Sequence, residues 1–316
     1  MLRKPLRILL AYCDTQHYWE IHSNNIALPL GLGSIGTYLK HKLGEKVEIR
    51  IVDGTLMSHK RLLRLIEEYT PDVAGFNSTI LNYKSTLDAA SKAKELDSFV
   101  FLGGHHATSL YKNIIESRKQ IDGIVLYEGE MPFHHIIQKI LADEKLTGIP
   151  SLVQRDSGGN IVTPEKIMLA PLNELPLIDY NLFDLKAHFK RSGKAGLGNA
   201  VTYYSGKGCM RRAIQINKNE YSFQEYLDIL ESVNSCSFCG RIDLGNRCIN
   251  DENVVSLLDY LYNQHDVSFY WDVWDTFVPI SGPRIYKGDE TYRFFSRIDN
   301  ISEPYLRLLE ERYGNN

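Results

Sequence analysis

The stretch LRILLAYCD at residues 6–14 is a short apolar run that ends in polar residues. Segments of helical character separate it from four further runs of the same kind, and buried parallel strands joined by helices have such sequences. The four runs lie at residues 47–53, 73–77, 98–103 and 121–127. We therefore predict that residues 1–145 form an α/β domain built on a doubly wound parallel sheet.

Ligands of doubly wound sheets bind beyond the carboxyl ends of the strands. The residues that follow the five predicted strands are therefore the candidate cofactor-binding residues of this region. In chain order they are Cys13, Asp14, Asp53, Asn77, Ser78, Gly103, Gly104, His105, Glu128, Gly129 and Glu130. Cys13 has the character of a small buried hydrophobe rather than of a nucleophile.

The rest of the chain divides into a connector and a second α/β region. Residues 151–163 contain two short extended runs around Asp-Ser-Gly-Gly-Asn, which predicts a hairpin, and prolines punctuate the residues that follow. We assign residues 146–199 to this hairpin and linker. Across residues 200–316, extended runs alternate with amphipathic helices near residues 222–233 and 251–264, which predicts a second α/β unit.

The composition excludes several classes of protein. The 316 residues carry 36 Lys and Arg against 39 Asp and Glu, and no basic block offers a footprint for nucleic acid. No apolar run approaches the ~20 residues that cross a bilayer. The amino terminus lacks the cleavage site of a signal peptide, and five cysteines in such a chain indicate reduced thiols. We expect a cytoplasmic protein that acts neither on nucleic acid nor in a membrane.

A glycine pattern offers a nicotinamide or flavin site as one alternative. Gly31, Gly33 and Gly36 have the spacing of a dinucleotide-binding loop, and Asp53 lies 17 residues further on, where a ribose-binding acid is expected. In that fingerprint the glycines follow the first strand directly, whereas 18 residues separate Tyr12 from Gly31 here. The same glycines are also explained by close packing of a helix on a strand.

Four loops of the first region are informative when they are taken together. They read PLGLG at residues 29–33, PDVAGF at 71–76, GGHHAT at 103–108 and EGE at 128–130. In this order they resemble the Rossmann-like cobalamin-binding domain of cobalamin-dependent radical S-adenosylmethionine (SAM) enzymes, and NELPLIDY at residues 173–180 is similar to the linker of these enzymes. The resemblance implies that cobalamin lies against the strand-end loops, with Leu30 and Gly31 among the residues that bind it.

Cysteines of the second region have a pattern that is typical of an iron–sulfur site. CSFC at residues 236–239 resembles the second half of the radical SAM signature, Cys-x-x-x-Cys-x-aromatic-Cys, and SGKGC at residues 205–209 resembles its first half. The resemblance implies that Cys209, Cys236 and Cys239 hold a 4Fe-4S cluster. Three thiolates leave the fourth iron open to bind S-adenosylmethionine.

Two more site residues follow from the same resemblance. Phe238 is expected to shield the cluster near the adenine of S-adenosylmethionine. Asp275 lies in YWDVWDTF at residues 270–277, which resembles the Asp-Asp-x-Phe strand end of the family. The family continues through about three more strand–helix units, so residues 200–316 match a partial (β/α) radical SAM barrel. We expect a fragment, a barrel that a second chain completes, or a protein that has lost catalysis.

The spacing of the cysteines departs from the family pattern. Between Cys209 and Cys236 lie 26 residues where the family has three, and this insertion predicts a helix with one apolar face, formed by Phe223, Tyr226, Leu227 and Leu230. Such a helix can bring the ends together, and closing a longer loop costs only about 0.6 kcal/mol for each doubling of its length. We expect the three-cysteine cluster. A degenerate site is the main alternative, and a zinc site that includes Cys248 is a lesser one.

A cobalamin-dependent radical SAM enzyme is therefore the first functional hypothesis. In the family reading it transfers a methyl group to an unactivated carbon of a small-molecule or peptide substrate. A reducing partner such as flavodoxin or ferredoxin is expected to supply the electron. The alternatives are a catalytically silent cobalamin-binding protein with a degenerate cluster site and a nicotinamide-dependent oxidoreductase.

Overall fold

The computed structural model describes residues 4–14, 27–208, 218–232, 246–273 and 291–293, together with positions 303 and 307. The strands are β1 (Leu6–Tyr12), β2 (Val47–Asp53), β3 (Val73–Asn77), β4 (Phe99–Gly103), β5 (Gly123–Val125), β6 (Leu152–Arg155), β7 (Ile161–Val162), β8 (Lys166–Met168), β9 (Ala200–Tyr203), β10 (Gly206–Gly208), β11 (Glu220–Ser222), β12 (Asn246–Cys248), β13 (Phe269–Asp272) and β14 (Thr291–Arg293). The α-helices are α1 (Leu30–Leu43), α2 (His59–Tyr69), α3 (Tyr83–Lys94), α4 (His105–Ser109), α5 (Tyr111–Ser117), α6 (Glu130–Leu141), α7 (Leu185–Lys194), α8 (Phe223–Ser232) and α9 (Asp251–His265).

A seven-stranded sheet with the order β2-β1-β3-β4-β5-β6-β7 forms the first domain. The strands from β2 to β5 are parallel, and β6 and β7 continue the sheet antiparallel to β5 and to each other. The order 2-1-3-4-5 is that of a doubly wound fold, so the predicted fold class is confirmed. The hairpin predicted for residues 151–163 is present, and it extends this sheet beyond residue 145.

Helices cover both faces of the first sheet. On one face, α1 and α6 pack through residues such as Leu39 and Ile136. On the other face, α2, α3 and α5 enclose a second core, for example through Leu62. The sequence of α2 explains its place: the Ser58 hydroxyl caps its first turn, and its apolar side chains recur at helical spacing on the buried side. Helices thus cover both faces of the sheet, and a ligand can reach the sheet at the ends of its strands.

The second domain contains three parallel strands in the order β14-β13-β9. A separate core joins β9 to α9, with Val201, Leu258 and Leu261 among its buried members. This is the arrangement of the predicted partial barrel in the part of it that the structure describes. The division of the chain at residues 145 and 199 stays a prediction. Among the described helices, none is both long enough and apolar enough to span a membrane.

The insertion between the two halves of the cysteine motif packs on the first domain. The predicted helix is present as α8, and β11 before it pairs antiparallel with β8. Tyr226 of α8 is fully buried, and its ring centroid lies 4.3 Å from that of Tyr127, in the loop after β5. The insertion is therefore anchored in the core on the α2–α3 face of the sheet.

Candidate functional site

A cavity of about 290 Å³ lies between the two domains, at the carboxyl edge of the parallel strands. One wall comes from the ends of β3 and β4 and from the loop after β5. The facing wall comes from Tyr204 and residues 206–208 of the second domain. The cavity adjoins β1 and β3, where the strand order changes direction, and doubly wound sheets bind their ligands at this point.

The cavity has an apolar floor and a polar rim. Aromatic and aliphatic side chains of the sheet and of the flanking helices form the floor, with Phe101 and Phe133 packed edge to face at a centroid distance of 5.8 Å. Backbone of the strand ends forms much of the rim. The polar side chains that line the cavity are those of Asn77, His105, Tyr127, Glu128, Glu130, Tyr204 and Lys207.

Glycines at the rim of the cavity leave the backbone free of side chains. Gly104 has φ +89°, and a Cβ built there would lie 2.5 Å from Oδ1 of Asn77 and 2.9 Å from the carbonyl oxygen of Ser78. This backbone conformation and this contact require glycine. Gly31, at the start of α1, lines the same cavity, and a Cβ built there would meet nothing within 4 Å. None of the described residues therefore requires glycine at position 31, and the space beside Gly31 is part of the cavity.

Glu130 and Lys207 form an ion pair in the cavity wall. The Lys207 ammonium lies 2.8 Å from Oε1 of Glu130, and the Ser34 hydroxyl donates to the same oxygen at 2.7 Å. Burial alone would raise the pKa of Glu130, but the Lys207 charge and the two hydrogen bonds outweigh burial and hold the pKa below its usual value. Burial alone would lower the pKa of Lys207, but the charges of Glu130 and Glu128 outweigh it and raise the pKa. Both groups are therefore charged at neutral pH.

Glu128 makes a second ion pair, with Arg247 of β12. Its Oε1 accepts a hydrogen bond from Nη2 of Arg247, and its Oε2 accepts one from the backbone N–H of Ala170 at 2.7 Å. Arg247 also donates to the Ala170 carbonyl at 2.9 Å. The side chains of Glu128 and Arg247 are 8% and 12% exposed. These contacts join the first domain, the linker and the second domain in one buried charged wall.

The structure brings eight of the predicted cofactor-binding residues together around the cavity. They come from the ends of three strands and from the start of α1, and their common location is the carboxyl edge of the sheet. The eight are Gly31, Asn77, Gly103, Gly104, His105, Glu128, Gly129 and Glu130. Their role in binding stays a prediction.

Three predicted residues of the first strand end and of α1 lie away from the cavity. Cys13 is fully buried in the core on the α2–α3 face, and burial raises the pKa of its thiol to about 12. The backbone carbonyl of Asp14 accepts a hydrogen bond from the Ser85 hydroxyl at 2.6 Å. The Leu30 side chain packs into the core of the second domain. These residues support the architecture of the site rather than line it.

Two more predicted residues have local roles. The Asp53 carboxylate accepts hydrogen bonds from the backbone N–H and the hydroxyl of Thr55, at 2.9 and 2.7 Å, and so caps the turn after β2. It lines a second, smaller cavity beside β2 instead of the main one. Ser78 is fully buried after β3, and its hydroxyl has no hydrogen-bond partner. Ser78 nevertheless shapes the site, because its carbonyl oxygen is one of the atoms that restrict position 104 to glycine.

The predicted cluster ligands lie outside the described residues. This holds for Cys209, Cys236 and Cys239, and also for Phe238 and Asp275. Within the described ranges, no group of three or more His, Cys, Asp or Glu side chains could hold a metal ion. The cluster therefore stays a prediction.

Lys207 and Arg247 are site residues that the sequence did not single out. Lys207 lies in the motif SGKGC at residues 205–209, in which the cysteine carries the resemblance to the radical SAM signature. The flanking glycines are the one signal that could have found it, since they leave a lysine as the sole side chain of a short strand. Arg247 lies 119 residues from its partner Glu128, and no local pattern predicts that contact.

Comparison with known proteins agrees with this geometry. Residues 21–137 match the family model of the B12 binding domain. An uncharacterized methyltransferase of Pyrococcus horikoshii is 25% identical over 186 residues, which cover 58% of this chain and 40% of that protein. The chain thus spans less than half the length of this relative.

Solved structures give the same result at the level of the fold. The cobalamin-dependent S-adenosylmethionine radical enzyme OxsB, with aqua-cobalamin and S-adenosylmethionine bound, aligns with a TM-score of 0.64 at 14% identity and covers 85% of this chain and 34% of its own. The radical S-adenosylmethionine methyltransferase TsrM of Kitasatospora setae, with cobalamin and a [4Fe-4S] cluster bound, aligns with a TM-score of 0.59 at 16% identity, over 85% of this chain and 49% of its own. The resemblance inferred from the loops is confirmed. Residues 21–137 thus match a B12-binding domain, and the fold of the chain is similar to that of cobalamin-dependent radical S-adenosylmethionine enzymes.

Proposed function

We propose that this chain is the cobalamin-binding domain and part of the radical SAM barrel of a methyltransferase that acts on an unactivated carbon. The observation that carries the proposal is the position of Gly208. This residue lines the cavity of the B12-binding domain, and the next residue along the chain is Cys209, the first predicted cluster ligand. A cluster held at Cys209 is thereby expected to adjoin the cobalamin.

The residues of the cavity fit the chemistry of cobalamin. A corrin ring is a wide, mostly apolar disc with amide arms. The floor of the cavity consists of apolar side chains, which suit the ring. Glycines at positions 31, 103 and 104 carry no side chain, so a flat ring can lie close to the backbone there. Asn77 and the strand-end backbone offer partners for amides. The cavity is open along its rim, so the larger part of the molecule can extend beyond it.

When they are bound, methylcobalamin would supply a methyl group, and a 4Fe-4S cluster with S-adenosylmethionine would supply the radical that removes a hydrogen atom from carbon. The residues of this chain position these groups and exclude water. Phe101 and Phe133 keep the floor dry, which protects reactive species from solvent. Glu130 and Lys207 neutralise each other, so the wall presents no net charge to a neutral ring.

Several parts of the proposal extend beyond this chain. The substrate is a small molecule or a peptide, and a flavodoxin or ferredoxin supplies the electron. The iron–sulfur cluster and a cytoplasmic location belong to the same proposal.

Two glycine variants test the cobalamin cavity. Gly31→Ala is expected to fold as the wild type does, because the new methyl group meets no atom of the described residues. It is expected to weaken cobalamin binding by about 1–3 kcal/mol through crowding of the cavity. Gly104→Ala is expected to lower the free energy of unfolding by about 1–3 kcal/mol, because it forces a side chain into a glycine-only conformation. Absorbance titration with hydroxocobalamin and denaturant unfolding measure the two effects. Unchanged cobalamin affinity in Gly31→Ala would contradict the assignment of the cavity.

Cluster assembly is tested by anaerobic reconstitution with iron and sulfide. The wild type is expected to take up about four irons per chain and to show the electron paramagnetic resonance (EPR) signal of a reduced cluster. Cys236→Ala is expected to lose both. Cys248→Ala is the matched control, because Cys248 is an exposed free thiol of the same region, and it is expected to retain both. A wild type that binds cobalamin but neither assembles a cluster nor cleaves S-adenosylmethionine would be a silent carrier, and the catalytic proposal would fail.

A further inference from the structure

The two strands β10 and β12 form an antiparallel ribbon beside the cavity. Gly208 of β10 pairs with Asn246 of β12, and Lys207 pairs with Arg247. The chain therefore enters the segment 209–245, which contains the three predicted cluster cysteines, and emerges from it at one place, the end of this ribbon. The separation of the cysteines along the sequence does not measure their separation in space, because the ends of the whole segment are fixed together.

The ribbon places two positive charges directly opposite each other. Lys207 and Arg247 are register partners, so their side chains emerge on the same face of the ribbon. Like charges at directly opposed positions destabilise a strand pair. An isolated ribbon with this sequence is therefore unfavourable, and it needs negative charge on that face.

The first domain supplies this negative charge. Glu128 lies in the loop after β5 and pairs with Arg247, and Glu130 lies at the start of α6 and pairs with Lys207. The Lys207 ammonium also lies 3.9 Å from Oε2 of Glu128. Two cations thus meet two carboxylates in a buried wall, and all four side chains are at most 20% exposed. The two cations of the ribbon are thus matched by two carboxylates of the first domain.

We propose that the β10–β12 ribbon is a docking element, which fixes both ends of the cysteine-bearing segment at the cobalamin cavity. Lys207 and Arg247 are its positioning residues, and Glu128 and Glu130 are their receptors on the B12-binding domain. The inference rests on the proposed function, because it concerns how a cluster is held near cobalamin. With such a ribbon, both ends of the segment that carries the cysteine motif stay at the cavity despite the long insertion.

The test measures the distance between the two metal centres in the full chain. Wild-type protein is reconstituted anaerobically with iron and sulfide, loaded with cobalamin and reduced so that the cluster and Co(II) are both paramagnetic. When two such centres are close, their magnetic dipoles broaden or split the EPR signals. Arg247→Met is expected to retain iron and corrin and to lose this interaction. Arg247→Lys, which keeps the charge, is expected to recover part of it.

Lys218→Met is the matched control. Lys218 pairs with Glu225 at 2.7 Å within the same inserted segment, but both side chains are more than 40% exposed. This variant is expected to keep the wild-type EPR interaction. If Arg247→Met does not fold, Glu128→Gln combined with Arg247→Met is measured instead, because the double variant buries no unpaired charge.

The outcomes separate the two proposals. Wild-type broadening that persists in the folded Arg247 variant overturns the docking role and leaves the proposed function intact. A wild type that binds both cofactors without magnetic interaction also overturns the docking role. A wild type that takes up neither iron nor corrin overturns the proposed function, and the docking role fails with it.

Discussion

Replacing Lys207 with methionine is expected to lower the free energy of unfolding by about 3–5 kcal/mol, because the change leaves a buried carboxylate without its counter-ion. The side chain of Glu130 is 3% exposed, and in the variant it would keep only the hydrogen bond from Ser34 among its contacts to side chains of the cavity wall. Urea denaturation at pH 7 measures the loss.

The pH dependence identifies the cause of the loss. In the wild type, Lys207 holds the pKa of Glu130 below its usual value, so the stability that Glu130 contributes is present above its unfolded pKa and is lost as the pH falls through the folded pKa. In Lys207→Met, burial is no longer outweighed, and the folded pKa of Glu130 is expected to rise above the unfolded one. Protonation of Glu130 then favours the folded state, so the deficit of the variant should shrink as the pH is lowered from 7 towards 4.

Two further variants serve as controls for this prediction. Lys40→Met breaks an ion pair with Asp179 that has the same N···O distance, 2.8 Å, but Lys40 is 57% exposed, so the expected loss is at most about 1 kcal/mol. Glu130→Gln combined with Lys207→Met buries no charge and should recover most of the stability. If Lys207→Met costs no more than Lys40→Met does, the pair at the cavity does not behave as a buried one.

The sequence predicts the sheet well because each strand carries its own signal. The runs at residues 6–12, 47–53 and 73–77 coincide with β1, β2 and β3, and the run at 121–127 contains the shorter β5. The central strand β3 is buried on both faces and is almost wholly apolar, whereas β2 lies at the sheet edge and alternates apolar residues with the exposed Glu48 and Arg50. Both patterns are local, so composition along the chain reports both strands. The carboxyl ends of the strands follow from the strands, and this is why eight of the predicted binding residues line one cavity.

The predicted residues that lie away from the cavity, and the site residues that the sequence did not single out, depend on contacts between distant parts of the chain. Leu30 begins a helix near the cavity, but its side chain faces the second domain, whose core no local pattern relates to α1. Asp53 ends a strand as predicted, and the turn after it then takes its carboxylate as a cap. Lys207 and Glu130 are 77 residues apart, and only the relative placement of the two domains brings them together.

For the insertion too, the sequence predicts the local structure but not the contacts with distant residues. The spacing of Phe223, Tyr226, Leu227 and Leu230 predicts the helix, and the structure contains it as α8. The surface that receives this apolar face could not be predicted, because it is formed by Tyr127 and by other residues of the first domain.

We expect the second large loss of stability from a change at the contact between α8 and the first domain. Tyr226→Ala is expected to remove about 3–5 kcal/mol of packing, since truncation of a buried aromatic side chain leaves a cavity in the core. Tyr226 anchors the inserted segment, which contacts the first domain through α8 and β11, so much of the loss should appear as local opening of that segment.

Hydrogen exchange can measure this opening. Because each 1.4 kcal/mol changes an equilibrium constant tenfold, a loss of about 3 kcal/mol raises the population of the open form about a hundredfold. Hydrogen exchange of the amides of α8, followed by mass spectrometry, should accelerate by that factor while the amides of α3 remain protected. Tyr226→Phe keeps the ring against Tyr127 and should exchange at nearly the wild-type rate. Equal acceleration of exchange in α3 and α8 would mean that Tyr226 stabilises the whole first domain and that the inserted segment does not open by itself.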